Sequence, residues 1–278
     1  MQAETNGTQS ESHASPAPGL VPGIALITGG SGGIGAACCR DLARAGFTVA
    51  IHYNRNEAAA RDLADEIVNH KSSESNGAGG VSTIVAPLLI AADLSTTAGC
   101  DQIYDALRAQ SAPLAVLVNN AGLVRDNPLF SASLEELDET LRLNLQGTWY
   151  LTKRLARLMI RAKRGRIINI SSVVGSTGNP TQSIYGMSKA AIDNFTKTAA
   201  HELAEHGILV NGVAPGFIDT EMTGGLSSEV RTQVLERIPL RRMGRPEEIA
   251  EIVTFLATSG SYITGTTIHA NGGMYGGS

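Results

Sequence analysis

Ser172, Tyr185 and Lys189 carry the most reactive chemistry in this sequence. Tyr185 and Lys189 are spaced i and i+4, so a helix puts them on one face. With six Tyr and five Lys among 278 residues, chance gives roughly 0.1 such pair. A phenol titrates near 10. A nearby ammonium stabilises the phenolate and brings its proton toward working pH. Ser172 follows the apolar run Arg166–Ile170, at the carboxyl edge of a strand, where ligands bind in open α/β sheets. Standing alone, the same spacing would suit a surface Tyr–Lys pair beside a capping Ser.

A second group suits phosphate. Thr28-Gly29-Gly30-Ser31-Gly32-Gly33-Ile34-Gly35 follows a short apolar run and opens a helical stretch. Glycines let backbone N–H groups approach a pyrophosphate, and a helix N-terminus favours its charge. The spacing is G-x-x-x-G-x-G rather than the commoner G-x-G-x-x-G. About 20 residues further on, an acid would hold the ribose 2′-hydroxyl of NAD. The sequence instead reads His52-Tyr53-Asn54-Arg55. The guanidinium of Arg55 suits the 2′-phosphate of NADP, or is a solvated surface group. Asp93, with Leu94 beside it, would face the adenine, or cap the next helix.

These residues need strands to position them. Apolar runs occur at Ile24–Ile27, Phe47–Tyr53, within Val81–Ala92, and at Leu114–Val118, Arg166–Ile170, Ile208–Val213 and Thr267–Ala270. Helical stretches lie between them, Ile34–Ala45 and Asn56–His70 first. Lys71–Gly80 is polar and Gly-rich and reads as a loop. Continuous apolar strands alternating with helices indicate an α/β, doubly wound, mainly parallel sheet with helices on both faces. The pattern runs from Gly23 to the C-terminus as a single domain. Residues 1–22, poor in apolar groups, read as a disordered tail with neither a secretory nor a transit signal, so a cytoplasmic location is expected.

Composition narrows the function. Charged residues are 17% and the net charge is −4, which argues against a nucleic-acid binder. No apolar run reaches the roughly 18 residues of a membrane span. Cys38, Cys39 and Cys100 lack zinc-ligand spacing, and no metal site is expected.

Taken with Asn119-Asn120-Ala121-Gly122, Asn144, and Pro215-Gly216 with Thr220, these motifs resemble the short-chain dehydrogenase/reductase family, in its order, over residues 23–275. The resemblance implies a Rossmann-like fold on a seven-stranded sheet and nicotinamide-dependent carbonyl or alcohol chemistry. By it, Tyr185 is the acid that protonates the substrate oxygen. Lys189 binds the nicotinamide ribose and lowers the Tyr pKa. Ser172 hydrogen-bonds the carbonyl, and Asn144 holds a water that supplies protons. Thr28, Gly29, Ser31, Gly33, Ile34, Gly35, Asn54, Arg55, Asp93, Leu94, Asn120, Ala121, Gly122, Pro215, Gly216, Ile218 and Thr220 would join Tyr185 and Lys189 around the cofactor. Asn119 would help to shape that site.

The stretches Ser172–Gly175, Gly178-Asn179, Gln182, Val213–Thr223, Tyr262–Gly265 and Asn271–Tyr275 are similar to the family's 3-oxoacyl-[acyl-carrier-protein] reductases. That similarity implies NADP(H), an acyl-carrier-protein or acyl-CoA substrate, and a homotetramer. The helix with Asn144 and the helix after Tyr185 would form one interface, the C-terminal strand region another. Arg161, Lys163, Arg164 and Arg166 form a basic cluster able to meet an acidic carrier, or a solvated helix end. Gly32 and His206 stand where such reductases often have Arg, and Lys71–Gly80 looks inserted. Another carbonyl or alcohol substrate (steroid, sugar or xenobiotic) and a dinucleotide-binding regulator without turnover are the alternatives. The intact Ser172, Tyr185 and Lys189 argue against the regulator.

Overall fold

The computed structural model describes residues 23–78, 85–225 and 227–276. Its strands are β1 (Ile24–Ile27), β2 (Thr48–Tyr53), β3 (Leu88–Ala91), β4 (Leu114–Asn119), β5 (Gly165–Ile170), β6 (Ile208–Pro215) and β7 (Thr267–Ala270). They form one sheet in the order β3-β2-β1-β4-β5-β6-β7, every pair parallel. The chain winds outward from β1 to β3, then crosses back to β4 and winds the other way. The β1/β4 boundary is therefore the topological switch point, where a crevice opens at the carboxyl edge.

The helices are α1 (Gly33–Arg44), α2 (Glu57–Ala78), α3 (Thr97–Arg108), α4 (Leu134–Leu141), α5 (Thr148–Ala162), α6 (Val173–Thr177), α7 (Ser183–Leu203), α8 (Glu221–Gly224), α9 (Ser228–Arg237) and α10 (Pro246–Thr258). A π-helical turn, Arg142–Gly147, joins α4 to α5. The sheet is buried on both faces. In β1, Ala25 and Ile27 pack into the layer of α1, α2 and α10, whereas Ile24 and Leu26 pack into the layer of α3, α5 and α7. Side chains alternate across a strand, so a strand covered on both sides reads as an unbroken apolar run.

Two expectations change. Lys71–Ala78 is helical and continues α2 rather than forming a loop. It holds Ser, Asn and Gly77 but no Pro; the propensity costs are tenths of a kcal/mol for each Ser and Asn and about 1 kcal/mol for the Gly, so a helix already propagating from Glu57 carries through it. Asp93 does not cap α3; the Thr96 side chain does, accepting from the Gly99 N–H at 3.0 Å. The tail reading of residues 1–22 lies outside the described residues, as do positions 79–84. Among the described residues, no helix is long and apolar enough to cross a membrane.

Candidate active site

The crevice at the carboxyl edge holds a cavity of about 450 Å³. Its phosphate end is built by the turn after β1. Thr28, buried at the strand end, accepts the N–H groups of Asn120 (2.9 Å) and Ala121 (3.0 Å) on its Oγ1 and donates to the Val118 carbonyl (3.2 Å). The Asn120 amide donates to the carbonyls of Thr28 (2.9 Å) and Gly29 (3.1 Å). The loops after β1 and β4 are thereby stitched together at the switch point. Gly29 adopts φ +61°, and a Cβ on Gly35 would lie 2.2 Å from the Gly29 carbonyl oxygen, so the loop folds against α1 only without side chains there.

The reactive end is built by β5 and α7. Ser172 follows β5 and caps α6, accepting the Val174 N–H on its Oγ at 3.3 Å. Its hydroxyl proton is left to donate. Tyr185 and Lys189 line the same cavity from α7, with Ser172 opposite. The buried Lys189 ammonium donates to the Ile170 carbonyl at 2.8 Å and stands 5.5 Å from the centre of the Tyr185 ring. The shift of the Tyr185 pKa runs opposite to the sequence expectation. Burial pushes it above 10, and hydrogen bonding with Ser172 only partly opposes this, while Asp126 adds to the rise. One of the three ammonium N–H groups goes to Ile170, and the ammonium is not among the groups that shift the phenol. Burial instead pulls Lys189 down to about 8, with Asp193 opposing.

Asn144 lies in the π-helical turn, a local distortion frequent at functional sites. Its Oδ1 accepts the Leu123 N–H at 2.7 Å, and its Nδ2 donates to Leu123 O (2.9 Å) and Ser188 Oγ (3.2 Å). Both amide hydrogens are spent, so a water could be held only by the second Oδ1 lone pair or the main-chain carbonyl. Gly122 lies between this group and the lysine: a Cβ there would be 3.5 Å from Asn144 Oδ1 and 3.7 Å from Lys189 Nζ.

The sequence was compared with known proteins. A family model described as "Enoyl-(Acyl carrier protein) reductase" matches residues 29–275. The chain belongs to the short-chain dehydrogenase/reductase family. Curated relatives include 3-oxoacyl-[acyl-carrier-protein] reductases of Aquifex aeolicus, 42% identical over 91% of this chain and 97% of the relative, and of Synechocystis, 41% identical over 92% and 98%. The Staphylococcus aureus protein of the same name is 42% identical over 90% of this chain and 97% of its own. A member of this family takes a nicotinamide dinucleotide and is an oxidoreductase.

The site of this short-chain dehydrogenase/reductase fits such a dinucleotide. The N-terminus of α1 carries neither a side-chain cap nor an acid in its first turn, and nothing lies within 4 Å of where a Cβ on Gly32 would stand. Gly32, Gly33 and Ile34 at this uncapped helix start line the cavity, where an anion would meet the helix N-terminus. Thr220, on the loop after β6, faces Gly33 across the crevice, its Cγ2 3.4 Å from a Cβ built there. Gly29, Gly33, Ile34, Asn120, Ala121, Gly122, Pro215, Gly216, Ile218 and Thr220 line the cavity. Thr28, Ser31, Gly35 and Asn144 are not among its lining residues. Asn54, Arg55 and Asp93 are exposed on the rim beyond it, while the Leu94 side chain is buried in the core. Asp93 accepts from the N–H (2.9 Å) and hydroxyl (2.7 Å) of Ser95 on one oxygen, and with Arg55 nearby its pKa is held down.

Asn119 is turned away from the cavity. Its amide donates to Thr152 Oγ1 (3.0 Å) and Asn169 Oδ1 (2.8 Å), joining β4 and β5 to α5 inside the core. Asp126 and Gln182 line the cavity mouth, the Gln182 amide donating to Asp126 at 2.8 Å. Asp126 lay in no recognised motif and gave no sequence signal of its role. The basic cluster loses a member, because Arg166 is buried in β5. Arg161, Lys163 and Arg164 stand at the amino edge of that strand, about 20 Å of strand away from Tyr185 in the same chain. Among the described residues no His/Cys/Asp/Glu group could hold a metal ion.

Proposed function

We propose that the protein is an NADPH-dependent reductase of 3-oxoacyl thioesters carried on acyl carrier protein or CoA, as in fatty-acid synthesis. The observation that carries the reading is the meeting of Ser172, Tyr185 and Lys189 at one end of a cavity whose other end is the glycine turn of α1. The bound dinucleotide supplies a hydride to the substrate carbon. The chain's own residues then manage one oxygen. Tyr185, protonated at neutral pH, gives that oxygen a proton, and the hydroxyl of Ser172 turns its proton to the same oxygen. Lys189 holds the ribose of the cofactor and returns a proton to Tyr185, drawing on water held near Asn144.

The printed names of the relatives support the 3-oxoacyl thioester, and the absence of an acid at Asn54-Arg55 supports NADPH. A homotetramer is supported by large apolar side chains left exposed on the expected faces, Trp149 and Met187 on α5 and α7 and Tyr262 near β7. Three free, buried thiols suit the reducing cytoplasm. The test is a substrate panel followed by NADPH absorbance. A 3-oxoacyl thioester should be turned over with kcat/KM far above that for steroid, sugar and simple ketones. A steroid or sugar carbonyl preferred over the thioester would overturn the reading.

A further inference from the structure

His52 opens the stretch that ends in Arg55 but was given no role above, yet it is 2% exposed at the carboxyl end of β2, in the middle of the nucleotide edge. Its two ring nitrogens face opposite ways. Nδ1 meets the Gly29 N–H at 3.1 Å, and Nε2 meets the Ala92 carbonyl at 3.1 Å. Its own carbonyl accepts the Gly30 N–H at 2.8 Å. β2 lies between β1 and β3, so one imidazole spans from the turn after β1 to the turn after β3. These are the turns that carry the phosphate loop and Asp93.

The partners fix the ring's state. An N–H needs an acceptor and a carbonyl needs a donor, so Nδ1 must be bare and Nε2 must carry the hydrogen. An imidazolium would set a second N–H against Gly29. Burial favours the neutral ring, holding His52 down to about 4 despite the pull of Asp93. A neutral ring with Nδ1 turned to the backbone has no charge to offer a phosphate, so its contribution is geometric. On the other side the Gly29 carbonyl accepts from Asn120, in the loop after β4.

We infer that His52, as a neutral Nε2–H tautomer, is a positioning residue that sets the phosphate loop at Gly29 for the dinucleotide. The inference rests on the nicotinamide site described above. Asn and Gln separate its two contacts: Asn places an acceptor near Nδ1, and Gln places a donor near Nε2. NADPH affinity is measured by fluorescence titration, beside the Tm of the unliganded protein. His52→Asn should stay within about threefold of wild type in Kd. His52→Gln and His52→Leu should weaken binding roughly ten- to a hundredfold, with a Gly29 N–H left unpaired. For His52→Gln, kcat at saturating NADPH should change little. Equal Kd values for the Asn and Gln variants, or a loss of Tm with unchanged Kd, would overturn the inference. A wild type that binds neither NADPH nor NADH would instead refute the nucleotide site itself. Nitrogen NMR of the wild-type ring gives a check free of folding defects: an Nδ1–H tautomer or an imidazolium at pH 7 would also overturn it.

Discussion

The ammonium of Lys189 is bonded to the carbonyl of Ile170 at 2.8 Å, not to the phenol of Tyr185 one helical turn away. The lysine is therefore braced against the end of β5, beside Ser172. Its cost is electrostatic: burial lowers it from its ordinary 10.5 to about 8. A shift of that size costs the folded state on the order of 3 kcal/mol wherever both folded and unfolded chains carry the proton.

Lys189→Met should therefore stabilise the unliganded protein while removing activity. Loss of the donor to Ile170 takes back about 1 kcal/mol. The sign follows from proton counting. The folded pKa is the lower one, so between pH 8 and 10.5 the unfolded chain binds more protons, and wild-type stability gains with rising pH. The Tm advantage of the variant should be full below pH 8 and shrink as pH climbs through that window. Thermal melts across pH 7–10 check it; a destabilised variant at pH 7 contradicts it.

Tyr185→Phe keeps the ring and removes the proton donor. A positioned acid contributes typically 10²–10⁴ in rate. The kcat should fall at least about 100-fold while NADPH titration stays near wild type. Near-normal turnover would remove Tyr185 from the mechanism.

Arg55 stands exposed at the end of β2, near enough to Asp93 to help depress its pKa. A charge-assisted bond to a phosphate contributes roughly 1.5–3 kcal/mol, about ten- to a hundredfold in affinity, with solvent screening favouring the lower end. Arg55→Ala should raise KM for NADPH by about that factor and leave NADH nearly unchanged. The kcat/KM of both proteins with both cofactors decides it; equal losses would refute the assignment.

Two glycines at the start of α1, its N-cap Gly32 and Gly35 in its first turn, should respond in opposite ways. Gly32 has extended backbone and open space, so Gly32→Arg should leave Tm within a degree or two and increase NADPH preference several-fold. Gly35→Ala puts a methyl 2.2 Å from a backbone oxygen and 2.7 Å from the Asn120 amide. It should lower Tm by several degrees and weaken cofactor binding more than tenfold. Melts and titrations on the two variants test the contrast.

The sheet was legible because its central strands β1, β4 and β5 are buried on both faces, so runs such as Ile24–Ile27 stand out without tertiary knowledge. Tyr185 and Lys189 were legible because a helix fixes their spacing. Arrangements that depend on distant contacts were not. The i+4 spacing brings Lys189 near the ring but does not reveal that the Ile170 carbonyl accepts a hydrogen bond from it. Asp126 becomes part of the cavity mouth only through a bond to Gln182, 56 positions away. His52 reads as one more strand residue until β1 and β3 are placed on either side of it. Arg166 reads as surface charge until β5 buries it.

The most direct test of the reaction presents the protein with NADPH and two thioesters of the same carrier and chain length, one 3-oxo and one 2-enoyl, following both absorbance and product. A site that sets Ser172 and Tyr185 on one oxygen should convert the 3-oxo thioester to the 3-hydroxy product and leave the enoyl double bond intact. Saturation of the enoyl thioester, with the 3-oxo compound untouched, would contradict the account.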